Sequence, residues 1–216
     1  MNYYHIHHQD QIQLFMIDFQ NNLKQSLPTY KFFSLYKEAI KKQQPIPQAV
    51  SISSYCQDKR LIDSRFVNLK YVRENEFIFF SNYKSNKAKQ FESNPDLKVT
   101  MLVYWSSIDA QIRIQGLLSK LHQHESDIHY KRRSKEKNAL STSSNQSSKI
   151  EKYEDVVNKY NKTLESNNFD IRPDYWGGYT LEASYFEFWK GNENRLNKRE
   201  VYELEKDNWN QYILEP

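Results

Sequence analysis

The sequence predicts a mainly β chain, a closed or partly closed antiparallel barrel with helices packed on it. Three observations lead there. Short strand-like runs recur along most of the chain and are joined by polar turns. Helical patterns are inserted among them rather than following every strand, which argues against a βαβ sheet, and the strands are too many for a helix bundle. At 216 residues the chain can bury one substantial core without needing a second domain.

Residues 1–28 are rich in Gln and Asn, and Leu14, Phe15, Ile17 and Phe19 mark no single face. They read as an arm, partly ordered at most, ahead of a domain spanning 29–216. His5, His7 and His8 cluster there without the rigid frame a metal site needs, so they read as a polar tail. Over 30–42, Phe32, Phe33, Leu35, Tyr36 and Ile40 recur at helical spacing, and Pro45 and Pro47 prevent continuation. Residues 49–55 alternate Val50 and Ile52 with serines, a half-buried strand, and 57–60 form a turn.

Residues 65–71 and 77–80 are two further strands about a charged turn. The loop 81–85 follows, then a short helix over 86–93 with Ser85 as its N-cap and Asn94-Pro95 as its stop. Strands continue at 98–105 and 111–117, the second with Gln111, Arg113 and Gln115 on one side. A charged helix spans 122–138, and its histidines, His122, His124 and His129, share no stripe that could bind zinc.

The tract 141–148, STSSNQSS, reads as loop. Over 149–166, Ile150, Tyr153, Val156, Val157, Tyr160 and Leu164 make the clearest amphipathic helix, expected to bury one stripe. Trp176-Gly177-Gly178 reads as a turn before strands at 179–189, 195–203 and 209–214. On an extended strand Arg195, Asn197 and Arg199 would share one face, and two arginines there call for anions.

Lys and Arg number 31 against 27 Asp and Glu, a formal charge of +4 without blocks of like charge. A small anion suits this better than nucleic acid. The single cysteine, Cys56, excludes an intrachain disulfide and agrees with a reducing compartment. No apolar run is long enough for a membrane span, and the N-terminus lacks the pattern of a secretory signal, so the cytoplasm is the expected location. Gly116, Gly177, Gly178 and Gly191 are the only glycines, and no GxGxxG turn or P-loop can be built from them.

The stretch 65–91 carries the chemistry. The first N–H groups of a helix lack intrahelical partners and that end is partly positive, so a helix start facing a cation-bearing strand can hold an anion. Lys87 in the first turn is poorly placed for the helix itself and points to a phosphate opposite. The other reading is that Lys84, Lys87 and Lys89 form a solvated face.

With these pieces placed, the chain over about 32–216 resembles the pyridoxamine 5′-phosphate oxidase family of FMN-dependent oxidases. The stretches that carry the resemblance are RFVNLK at 65–70, FFSNYKSNKA at 79–88, QIRIQG at 111–116, NQSS at 145–148, WGGY at 176–179 and EFWKGNENRLNKR at 187–199, with EP at the end. It implies a split antiparallel β-barrel, dimeric, with FMN held at the subunit interface.

The resemblance assigns Arg65, Lys87, Ser85 and Ser81 to the FMN phosphate end. Gln111, Gln146, Ser147, Trp189 and Arg199 are further FMN contacts, with Phe66, Val67, Phe80 and Asn86 inside the matched stretches. Lys70 would lie beside flavin and substrate phosphate together with Tyr130 and Arg133, although parity puts it on the opposite strand face from Arg65. Lys137 or Asn138 would take a serine's place there. Arg195 would lie over the substrate ring, with Asn197 where the family has a histidine that helps hold substrate; these two are the catalytic candidates. No metal is implied. The implied reaction passes a hydride from the substrate C4′ to the flavin, which dioxygen reoxidises to give peroxide, yielding pyridoxal 5′-phosphate.

Three departures stand out. Asn86 replaces an arginine, which removes one phosphate cation and weakens FMN binding by about 1–3 kcal/mol. Asn197 replaces the histidine. The segment 130–144, YKRRSKEKNALSTSS, nearly erases the family pattern and is one residue short when aligned on Tyr130.

Overall fold

The computed structural model describes residues 16–20, 26–94, 96, 98–166 and 169–216. His5, His7, His8, Leu14, Phe15 and Pro95 lie outside the described residues. Among these residues nine strands form one sheet: β1 (Asp18–Phe19), β2 (Ala49–Cys56), β3 (Leu61–Arg73), β4 (Glu76–Asn82), β5 (Val99–Trp105), β6 (Ala110–Lys120), β7 (Trp176–Lys190), β8 (Lys198–Glu205) and β9 (Asn208–Leu214). Among the described residues, five α-helices accompany them: α1 (Leu27–Lys41), α2 (Asn86–Ser93), α3 (Gln123–Arg132), α4 (Lys135–Ser143) and α5 (Tyr153–Ser166).

The sheet closes on itself. Antiparallel pairing runs β2 to β3, β3 to β4, β4 to β7, β7 to β6, β6 to β5 and β5 back to β2. This is a split barrel, with β8 and β9 added outside it along β7. Alternation dictates the filling. Val50 and Ile52 of β2, Met101 and Val103 of β5 and Ile112 and Ile114 of β6 are buried, while the residues between them are half-buried or exposed. Ile17 and Phe19 of the arm join this core, where β1 pairs in parallel with β3. The α1 stripe of Phe32, Tyr36 and Ala39 seals the barrel against Phe77 and Trp105.

Four expectations are corrected. The helix over 122–138 is two helices, because Arg133 is extended and Ser134 starts α4 by accepting from the Lys137 N–H at 3.4 Å. The serine tract contributes its first three residues, 141–143, to α4. Trp176, Gly177 and Gly178 do not turn but open β7, paired with β4; a Cβ on Gly177 would sit 2.2 Å from the Tyr83 hydroxyl, so close packing explains the glycine. The strand at 195–203 starts only at Lys198. Arg195 ends a 3₁₀ turn with φ of 62°, so Arg195 and Asn197 do not share a strand face with Arg199.

The amphipathic pattern at 149–166 does form α5, but the helix buries no residue, and Tyr153 and Val157 are exposed. Periodicity tells that a stripe needs cover and not which surface supplies it. Among the described residues no helix is long and apolar enough to cross a membrane.

Candidate active site

Two adjoining basic clefts flank β4. Successive residues of that strand serve different clefts: Ser81 faces the start of α2, and Phe80 faces α3 and Trp176. The same division holds on β3, where Arg65 reaches α2, while Asn68 and Lys70 line the second cleft. A β-bulge between Leu69 and Tyr71 shifts the register beside Lys70. The opposite orientation of Arg65 and Lys70 read from parity is therefore what the fold uses.

In the first cleft, Ser85 stands at the N-cap position of α2 with extended backbone, yet its side chain makes no cap bond. Instead its hydroxyl donates to the Asn82 carbonyl at 2.7 Å and accepts from Lys87 Nζ at 3.3 Å. Lys87 also donates to Ser81 Oγ at 3.0 Å. Arg65 donates to Ser54 Oγ at 2.6 Å and Gln90 Oε1 at 2.8 Å, and Asp63 lies 3.8 Å away. Burial, with the neighbouring Arg65 charge, brings the Lys87 ammonium down to about 8. The serine tract folds over this corner: Ser81 Oγ donates to Gln146 Oε1 at 3.4 Å, and the Asn86 N–H reaches Ser147 Oγ at 3.4 Å. Ser147 holds φ of 73° to do so.

The second cleft is a pocket of about 280 Å³ lined by Asn68, Lys70, Phe80, His129, Arg133, Lys137 and Trp176. Three cations thus share one small space. Burial and the charges of Lys137 and Arg133 bring Lys70 down to about 8, and burial brings Arg133 down to about 10. The Arg133 guanidinium lies 4.2 Å over the Trp176 ring and donates to Ser141 Oγ at 2.8 Å and to the Lys137 carbonyl at 2.9 Å. His129 is stacked on Phe80 at 3.7 Å.

A third group lies across the outer strands. Register places Gln111 of β6 opposite Trp189 of β7, and Trp189 opposite Arg199 of β8. Behind them the Glu187 carboxylate is 5 % exposed and accepts from Arg199 Nε at 2.9 Å and from Arg113 Nη2. Burial pushes this carboxyl up, and the two arginines more than reverse the effect, leaving it below its ordinary value.

Of the sequence-derived candidates, the fold brings together Arg65, Ser81, Ser85, Lys87, Gln146 and Ser147 in one corner, Asn86 entering through its backbone. Phe80, Lys70 and Arg133 meet in the second. Val67 packs on the core, whereas Phe66 is 76 % exposed on the outer face of β3. Arg195 is exposed, and the Asn197 side chain accepts from the Asn192 N–H at 3.3 Å within its own loop.

Tyr130 and Asn138 do not line the pocket. Both are buried; Asn138 donates to the Tyr130 carbonyl at 3.1 Å, and the Tyr130 hydroxyl meets Thr142 Oγ1 at 3.1 Å, which ties α3 to α4. Sequence reasoning missed His129 as a pocket wall and placed Lys137 there only as an alternative. No single helical phase could have shown this, because α3 ends at Arg132 and Lys137 reaches the pocket from α4. Among the described residues, no group of three or more His, Cys, Asp or Glu side chains could hold a metal ion.

Comparison with known proteins bears on this geometry. Residues 37–158 match the family model described as pyridoxamine 5′-phosphate oxidase, and residues 176–216 match the pyridoxine 5′-phosphate oxidase C-terminal dimerisation region. The pyridoxine/pyridoxamine 5′-phosphate oxidase of Leptospira biflexa is 35 % identical over 188 residues, covering 85 % of this chain and 87 % of the relative. That of Haemophilus influenzae is 35 % identical over 190 residues, covering 88 % and 89 %.

Among solved structures, PhzG from Burkholderia lata 383, in complex with tetrahydrophenazine-1-carboxylic acid, superposes with a TM-score of 0.82 at 24 % identity, covering 91 % of this chain and 95 % of that one. A pyridoxamine 5′-phosphate oxidase-related, FMN-binding protein from Nostoc punctiforme gives 0.68 at 13 % identity, covering 85 % and 96 %. These two show the shared fold. The matched family model and the two 35 % identical relatives together establish that the chain belongs to the pyridoxamine 5′-phosphate oxidase family.

Proposed function

We propose that this protein is an FMN-dependent oxidase that converts pyridoxamine 5′-phosphate, pyridoxine 5′-phosphate or both to pyridoxal 5′-phosphate. The observation that carries the reading is the pair of separate, partly desolvated cation clusters, Lys87 with Arg65 and Lys70 with Arg133 and Lys137. Gathering like charges away from water is unfavourable unless anions join them. Two clusters on one barrel wall suit two phosphates, one on a flavin nucleotide and one on a substrate.

The corner at α2 suits the FMN phosphate: Ser85 leaves the first helical N–H groups uncapped by its side chain, and Lys87, Arg65 and Ser81 converge there. Gln111, Trp189 and Arg199 would hold the rest of the cofactor, with Gln146 and Ser147 as a clamp. FMN, when bound, supplies the acceptor for two electrons, which dioxygen then takes up as hydrogen peroxide. The protein's part is to bind and orient. Lys70 and Arg133 would grip the substrate phosphate, Tyr130 and Asn138 would hold α3 and α4 in place around it, and Arg195 and Asn197 would close over the substrate ring. A homodimer with the cofactor at the subunit interface agrees with the matched dimerisation region.

A second reading keeps the fold and the flavin but changes the substrate. The replacement of the family histidine by Asn197, whose side chain bonds its own loop, favours it. The deciding experiment is an aerobic assay of purified protein with added FMN and pyridoxamine 5′-phosphate. Pyridoxal 5′-phosphate and peroxide in equal amounts support the first reading; bound flavin that both this substrate and pyridoxine 5′-phosphate leave oxidised refutes it in favour of the second.

A further inference from the structure

Glu187 is a buried carboxylate that the proposed function leaves without a task. It stands two residues from Trp189 on β7, so both side chains leave the strand on one face, beside Arg113 of β6 and Arg199 of β8. Its two oxygens are divided. Oε2 accepts from Arg113 Nη2 and from the Tyr185 hydroxyl at 3.2 Å, and Arg113 reaches Tyr185 as well at 3.4 Å. Oε1 is left to accept from Arg199 Nε at 2.9 Å. Nη1 of the same guanidinium donates to the Glu215 carbonyl at 3.0 Å. A planar group bonded at two of its three nitrogens cannot swing, and Nη2 is left without a hydrogen bond among the described residues.

We propose that Glu187 is a positioning residue: anchored by Arg113 and Tyr185, it holds the Arg199 guanidinium so that Nη2 is presented to the flavin. The inference rests on the reading of Arg199 as a cofactor contact. Two features make the carboxylate a rest for Arg199 and not a neutralising partner. One negative charge serves two guanidiniums, so the group keeps a net positive charge with which to meet an electron-rich ligand. Because Oε2 is fixed by β6 and by Tyr185 of its own strand, the carboxylate also stays in place without Arg199. An arginine held in position before its ligand arrives loses less freedom on binding it.

The test is a double-mutant cycle on the full chain with FMN as the probe: wild type, Glu187→Gln, Arg199→Met and the double variant, each titrated by quenching of flavin fluorescence and checked for folding by circular dichroism. Arg199→Met should weaken FMN binding roughly 10- to 150-fold and Glu187→Gln roughly 3- to 30-fold. Since Glu187 acts through Arg199, the double variant should bind within about twofold of Arg199→Met alone. The midpoint potential of the bound flavin should also fall in both single variants, because a cation that has left no longer favours the reduced, electron-rich ring. Should Glu187→Gln fail to fold, Glu187→Asp, whose carboxylate stays charged but ends one carbon short of Arg199, reads the same two quantities. Losses that multiply in the double variant, or a potential that the Glu187 variant leaves at the wild-type value, overturn this inference while the cofactor reading stands. An Arg199→Met variant that binds as tightly as wild type overturns the Arg199 assignment along with it, and wild type that binds no FMN overturns the proposed function as well.

Discussion

Replacing Lys87 by Met tests the α2 corner most directly. The side chain is half-buried and its ammonium donates to Ser81 Oγ at 3.0 Å and Ser85 Oγ at 3.3 Å, at the start of the helix where a phosphate would sit. Removing it deletes one charge-assisted bond, a loss of about 1.5–3 kcal/mol, or roughly 10- to 150-fold in Kd for FMN. The pH dependence makes the test specific. In the ligand-free protein Lys87 is down to about 8, so above that pH a growing fraction is neutral and binding FMN must first restore the proton. The phosphate is a dianion throughout, since its second pKa is about 6.

Wild-type Kd should therefore rise about tenfold between pH 7 and 9, and the Lys87→Met variant should be flat over that interval. Quenching of flavin fluorescence on titrating ligand-free protein reads both. A variant that binds as tightly as wild type at pH 7, or that keeps the wild-type slope, refutes the assignment.

Glu187→Gln keeps shape and removes charge beneath Arg199 and Arg113, whose side chains are 29 % and 38 % exposed. Allowing for that exposure, the loss is about 1–2 kcal/mol, or roughly 2–8 °C in Tm by circular dichroism. Because the carboxyl lies below its ordinary value in the fold, its contribution is complete above that value and is lost as pH falls through the folded one; the Tm difference should shrink only in acid. A difference unchanged at the lowest pH that wild type tolerates would argue against a charge effect. Arg133→Ala should raise KM for pyridoxamine 5′-phosphate by roughly 10- to 100-fold while FMN affinity holds within about threefold; equal losses in both would merge the two clefts. Ile213 stands 67 % exposed on β9 in the matched dimerisation region, and Ile213→Lys should convert a dimer to a monomer by light scattering, with an unchanged mass contradicting that interface.

Much of this was legible in the residues. Alternation in 49–55, 98–105 and 111–117 located β2, β5 and β6 to within a few residues, because period two is a local property of an extended chain with one buried face. The α2 helix came out with the same bounds, since Ser85 and Asn94 mark its ends in the sequence itself. The cation corner followed from the same stretch. The resemblance put Tyr130 beside the substrate phosphate, whereas α3 buries Tyr130 and sets His129 on the pocket wall.

The order of hydrophobic, polar and capping residues by itself determined a mainly β barrel with inserted helices and a basic corner at a helix start, because each of these depends on neighbours within a few residues. Closure of β5 onto β2, the meeting of His129 and Lys137 from two helices in one pocket and the burial of Glu187 between arginines 74 and 12 residues away were decided only by the tertiary structure. Such contacts depend on where distant strands cross, and a bulge of one residue is enough to change which cleft a side chain enters.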